Sequence, residues 1–134
     1  MTSDALIERL GDLVEGVLDD PRWEDERDDL GVVVLGMLLY GFALATGRIV
    51  LFLDTEDIDA AVLTCLTERI GAAPKWSEGL VAEARASGVD EAHHPAHHEL
   101  IGVGHSYFGY EDLAVVLDNV FANIESHRRR ASLA

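Results

Sequence analysis

The chain has 134 residues, enough for one globular domain spanning 1–134 with a core of its own. A hydrophobic fraction of 49% argues against a disordered chain, and the single cysteine, Cys65, excludes an internal disulfide framework or a four-cysteine zinc site. Twenty-five acidic residues against ten basic ones leave a net charge of −15, which repels nucleic acid and anionic membrane and suits a basic protein partner.

The N-terminal stretch carries no basic region ahead of an apolar run, so it does not read as a signal peptide, and cytoplasm is the expected location. Residues Ser3 to Asp19 are spaced as an amphipathic helix. Leu6, Leu10, Leu13 and Val17, with Ile7, Val14 and Leu18, fall on one side, and Glu8, Arg9, Asp12 and Glu15 on the other. Pro21 then disfavours helix in the residue before it.

The most apolar part of the chain is Leu30 to Leu53, in which Arg48 is the one formal charge. We read Glu24 to Thr46 as one helix, acidic in its first turns, where carboxylates are favoured, and apolar on every side thereafter. A helix apolar all round is buried all round, so this is the expected centre of the fold. Gly31, Gly36 and Gly41 cost helix stability, and close approach by a neighbouring element is the expected return. A membrane span competes with this reading, but Arg48 interrupts the run and no basic flank marks one side.

Arg48 to Leu53 reads as a strand covered on both faces. An alternative for the 38–53 region is a hairpin of Leu38–Ala45 with Arg48–Leu53. Asp54 is placed to cap a helix running to Ile70 and closed by Gly71, with Ile58, Ala61, Val62, Cys65, Leu66 and Ile70 inward. Pro74 opens a weaker helix that Gly88 ends. Asp90 to Glu99 is a polar connection. Leu100 to Phe108 alternates with period two and pairs, as a strand, with Arg48–Leu53. Glu111 to His127 is the clearest helix, with Leu113, Val116, Leu117, Val120, Phe121 and Ile124 on one stripe and Arg128 to Arg130 beyond its end. The predicted fold is therefore mainly α, about five helices around a buried central one, with a small two-stranded β element. The alternative is an α+β fold with a larger sheet.

Two stretches carry chemistry. His93, His94, His97 and His98, followed by Glu99, put four imidazoles within six positions. The pairs His94/His98 and His93/His97 have the i, i+4 spacing that suits a divalent metal such as zinc, nickel or iron, with Glu99 and His105 as further candidate ligands. The plain alternative is a solvated loop with adventitious metal affinity, and a third is a proton-sensing loop, since histidine titrates near neutrality. The second stretch is Gly102 to Asp112, where Tyr107, Tyr110, Glu111 and Asp112 read as partner-binding residues. Tyrosine anchors interfaces, and the carboxylates match basic groups. No nucleophile elbow or dinucleotide fingerprint is present, since Tyr107 stands where the third glycine would.

A small, acidic, single-domain chain without a catalytic signature resembles, in composition alone, the inhibitors and immunity proteins of basic nucleases. The expected function is a non-catalytic acidic protein-binding module for a basic partner. A metal-binding protein or small metal-dependent enzyme built on the histidines, and a homodimeric scaffold whose partner is itself, are the alternatives.

Overall fold

In the computed structural model, which describes residues 2–133, the chain forms seven α-helices and no strand among those residues. In order they are α1 (Thr2–Asp19), α2 (Trp23–Glu26), α3 (Asp29–Ala45), α4 (Thr55–Thr64), α5 (Pro74–Val89), α6 (Pro95–Ser106) and α7 (Leu113–Leu133). Helix α3 is the centre, with Leu35, Met37, Leu38 and Leu39 fully buried against the helices around it. The apolar segment Asp29–Val50 is long enough to cross a membrane, yet 72% of its most apolar window is covered by the rest of the fold. Its hydrophobicity is consumed by the protein's own core.

The expected helix Glu24–Thr46 is divided. Asp28 is extended and caps α3, its side chain accepting a hydrogen bond from the Gly31 amide at 3.0 Å. The chain turns so sharply before α3 that a Cβ on Gly31 would collide with the Glu26 carbonyl oxygen. Asp28 also receives both terminal nitrogens of Arg128, at 2.7 and 2.9 Å. Arg128 therefore lies within α7, not past its end, and α7 continues well beyond His127. The bidentate guanidinium beside Asp28, with the Gly31 amide, holds that carboxyl well below the usual carboxylate range.

Neither predicted strand forms. Thr46 to Val50 continues α3 as a π-helical turn, with the Leu51 amide bonding back five residues to the Thr46 carbonyl. The run is not covered on both faces: Ile49 is 51% exposed and Phe52 86%. Phe52 has φ +56°, a left-handed conformation that costs a bulky residue strain. The hairpin alternative fails for the same reason, since its first half is α3.

Leu100 to Phe108 is the last two turns of α6 and a 3-10 turn, Tyr107–Gly109. His94 and Pro95 are its start: the His94 Nδ1 accepts from the His97 amide at 3.2 Å, and proline occupies the first helical position. The alternation of glycine with larger residues, which imitates a strand, serves a helix crossing. A Cβ on Gly104 would strike the Leu38 carbonyl oxygen, and one on Gly41 the Ile101 carbonyl oxygen. Two backbones approach where neither helix has a side chain, so α6 lies directly against α3.

The other elements follow their patterns. Asp54 caps α4 through the Asp57 amide at 2.9 Å. A π-helical segment, Cys65–Ile70, continues it and ends at Gly71, whose φ of +83° only glycine adopts without strain. Cys65 is buried, and that burial pushes its thiol up to about 11. On α7, Val116, Val120, Phe121 and Ile124 are buried as their spacing predicts.

Candidate docking groove and the histidine junction

Helix α6 links two regions that the sequence singles out. At its C-terminal end the chain runs through the 3-10 turn into an open groove of about 310 Å³. Arg9, Asp12 and Leu13 of α1 form one wall, and Tyr110, Glu111, Leu113 and Val116 the other. Phe42 and Thr46, from α3 and its π-helical extension, lie beneath with Tyr107.

The four predicted partner-binding residues divide. Tyr107 is 3% exposed and belongs to the floor. Its hydroxyl donates to Asn119 Oδ1 at 2.6 Å, and burial raises its phenol above the ordinary tyrosine range. Tyr110 stands on the rim, 46% exposed, edge-on to Tyr107 with ring centroids 6.1 Å apart. The Tyr110 amide bonds to the Tyr107 carbonyl at 3.0 Å, which fixes the pair's spacing. Glu111 lines the groove and makes no hydrogen bond or ion pair among the described residues. Asp112 accepts from the Ala114 amide at 2.9 Å and so starts α7, with its carboxylate partly committed.

Residues the motif reading missed complete the groove. Phe108 and Leu113 are 41% and 45% exposed, so the rim is apolar as well as acidic. Arg9 lines it too, without an ion-pair partner among the described residues. Thr46 is 1% exposed, and its Oγ1 is buried with no hydrogen-bond partner. Phe108 could have been found by asking which apolar positions of Gly102–Val116 no helical stripe needs; Leu113 could not, because its spacing puts it on the α7 stripe although it is exposed. Nothing in sequence marks Thr46, because its environment is made by three other elements.

At the N-terminal end of α6 the histidines meet α5. Glu83 takes His93 Nε2 on one carboxylate oxygen at 2.9 Å, and His97 Nδ1 on the other at 2.8 Å. The Ser87 hydroxyl donates to the second oxygen at 2.8 Å. These bonds, His97 first and His93 second, draw the Glu83 carboxyl down to about 2. His97 itself is shifted below the usual histidine value, chiefly by burial, with Glu83 opposing that shift. His94 stacks on His97, ring centroids 3.4 Å apart. His98 Nδ1 donates to the Ser87 carbonyl at 2.8 Å.

The spacing pair His93/His97 thus converges, but on a carboxylate of α5. His94 and His98 are separated by their different partners, and Glu99 and His105 make no polar contact with the cluster. Among the described residues no three of His, Cys, Asp and Glu are placed to hold one metal ion. The chain matches no known protein family, no curated protein and no solved structure.

Proposed function

We propose that this chain is a non-catalytic, acidic protein-binding module, of inhibitor or immunity type, that docks a basic partner over the groove between α1, α3 and the start of α7. Thr46 carries the reading. A buried hydroxyl without a partner costs free energy, and that cost is recovered when a ligand group bonds to it. Around it the rim offers what a basic side chain needs: apolar surface from Phe108, Tyr110 and Leu113 for its stem, and the uncommitted Glu111 for its charge. The net charge of −15 adds long-range attraction, screened over about 10 Å at 0.1 M salt.

The test is capture from the source lysate at low salt, followed by kinetics on the captured protein. The association rate should fall steeply as salt rises while the dissociation rate changes little. Tyr110→Ala should shorten the lifetime of the complex without slowing encounter. Capture of copies of this chain alone would replace the reading with a homodimeric scaffold. A partner indifferent to Tyr110→Ala, or no partner at any salt concentration, would overturn it.

A further inference from the structure

On the far side of α3 from the groove, a second and smaller cavity has the opposite charge. It holds about 150 Å³ and is lined by Tyr40, Leu44, Arg48, Thr55, Arg85, Gly88 and Val89. Two of the chain's nine arginines therefore face one small space in a protein whose surface is otherwise dominated by carboxylates. Arg85 has one carboxylate contact, to Asp59 Oδ2 at 3.3 Å. The single charge of Asp59 cannot balance both cations, and its other oxygen accepts the Tyr40 hydroxyl at 2.6 Å. Among the described residues Arg48 has no carboxylate partner, and its guanidinium donates to Thr55 Oγ1 at 3.0 Å. Both arginine charges reach the Tyr40 hydroxyl, where each opposes the rise that burial and Asp59 impose on it.

The backbone that follows Arg48 is strained. Arg48 sits in the π-helical turn, and four residues on Phe52 is forced to positive φ while its ring stands 86% exposed. Strain of this kind persists only where surrounding structure holds it, and it gathers at ligand sites. Leu44, Val89 and the Tyr40 ring supply apolar lining to the same cavity. Two guanidinium groups lining one small space match the oxygens of a single anionic group, and charge-assisted bonds of this type are among the stronger ones available. The size of the cavity, below the range of about 300 Å³ and upward for drug-sized ligands, limits the rest of the molecule to a short chain.

We propose that the cavity between the end of α3, the start of α4 and the end of α5 binds a small aliphatic carboxylate, its carboxyl between Arg48 and Arg85 and its tail against Leu44 and Val89. The site is separate from the docking groove and does not depend on it.

Titration of the 15N-labelled protein with butyrate tests this, with amide shifts of Thr55, Gly88 and Val89 as the readout. Butyrate should move them saturably. Butyramide, its neutral counterpart, should not, and inorganic phosphate, which lacks the tail, should bind more weakly. Arg48→Gln should weaken butyrate by roughly tenfold or more, the order expected for a lost bond to a charged group. Arg48 is exposed and holds only Thr55, so that variant should melt like the parent. Lys75→Gln, with the same change in charge on the first turn of α5, should leave binding intact. The proposal falls if butyrate gives no saturable shift, if phosphate or butyramide binds as well as butyrate, or if Arg48→Gln binds as well as the parent.

Discussion

The two ends of α6 present contrasting chemistry. At its N-terminus the conspicuous histidines are tied into the fold: Glu83 holds His93 and His97, the Ser87 carbonyl holds His98, and His94 caps the helix. At its C-terminus the less conspicuous groove keeps groups unspent, namely the Thr46 hydroxyl, the Glu111 carboxylate and the exposed faces of Tyr110 and Phe108. Density of functional residue types in sequence is therefore a poor guide to availability. What distinguishes the two ends is whether neighbouring elements have already met their hydrogen-bonding demand.

The largest effect should come from breaking what holds both ends in place. At Gly104 and Gly41 an added Cβ meets a backbone carbonyl that cannot step aside, whereas at Gly36 it meets the tip of the Leu80 side chain, 2.7 Å away. Gly104→Ala should therefore destabilise by several kcal/mol, on the scale of overpacking at a tight contact. Gly36→Ala should lie within about 1 kcal/mol of the parent, since Leu80 can shift and alanine favours helix. Equilibrium denaturation of the two variants checks this, and equal losses would place the crossing elsewhere. At the groove, Tyr110→Ala should shorten the lifetime of the captured complex by more than about tenfold, the order of a lost aromatic anchor, with little change in melting temperature. A large fall in melting temperature instead would make Tyr110 part of the core.

The predominantly helical architecture was legible because it rests on local signals. The stripes of α1 and α7, the caps at Asp54 and Gly71, and the all-round apolarity of α3 each report one element's own environment. The strand at Leu100–Phe108 was misread because its glycines answer to another helix: Gly104 is needed only once Leu38 lies against it. The strand at Arg48–Leu53 was misread because apolar character does not say whether a side chain is covered, and Phe52 is not. The site was half legible. Tyr110 and Glu111 stand at the groove, but Tyr107 forms its floor and Asp112 caps a helix, roles fixed by Asn119 and by the start of α7.

A smaller effect separates the unspent hydroxyl from the spent ones. Thr46→Val keeps the side chain's shape and removes an unpartnered polar atom, so it should leave stability unchanged or raise it by about 1 kcal/mol. If a partner uses the hydroxyl, the same variant should weaken the complex by roughly fivefold or more. A loss of stability would mean that the hydroxyl is bonded within the fold. Complex formation unaffected by the change would remove Thr46 from the interface.

The smallest expected effect concerns the spent end, and its sign can be worked out. His97 is held below its ordinary value of 6.5 in the folded chain, mainly by burial. The unfolded chain therefore binds a proton more readily there, so this stabilisation is complete above about pH 6.5 and is lost as pH falls through the lower folded value. Glu83, drawn from 4.5 to about 2, contributes stability that is present above pH 4.5 and is lost as pH falls toward 2. Both act in the same direction, the His97 contribution beginning to fall below pH 6.5 and the Glu83 contribution below pH 4.5. Denaturant titrations at a series of pH values should show stability declining first below pH 6.5 and again below 4.5. His97→Gln should flatten the upper window and leave much of the lower one, because His93 and Ser87 still hold Glu83. Glu83→Gln should flatten the lower window. Stability that rose as pH fell from 7 to 5 would mean that the junction prefers protonated His97, and the histidines would then act as a proton-sensing element.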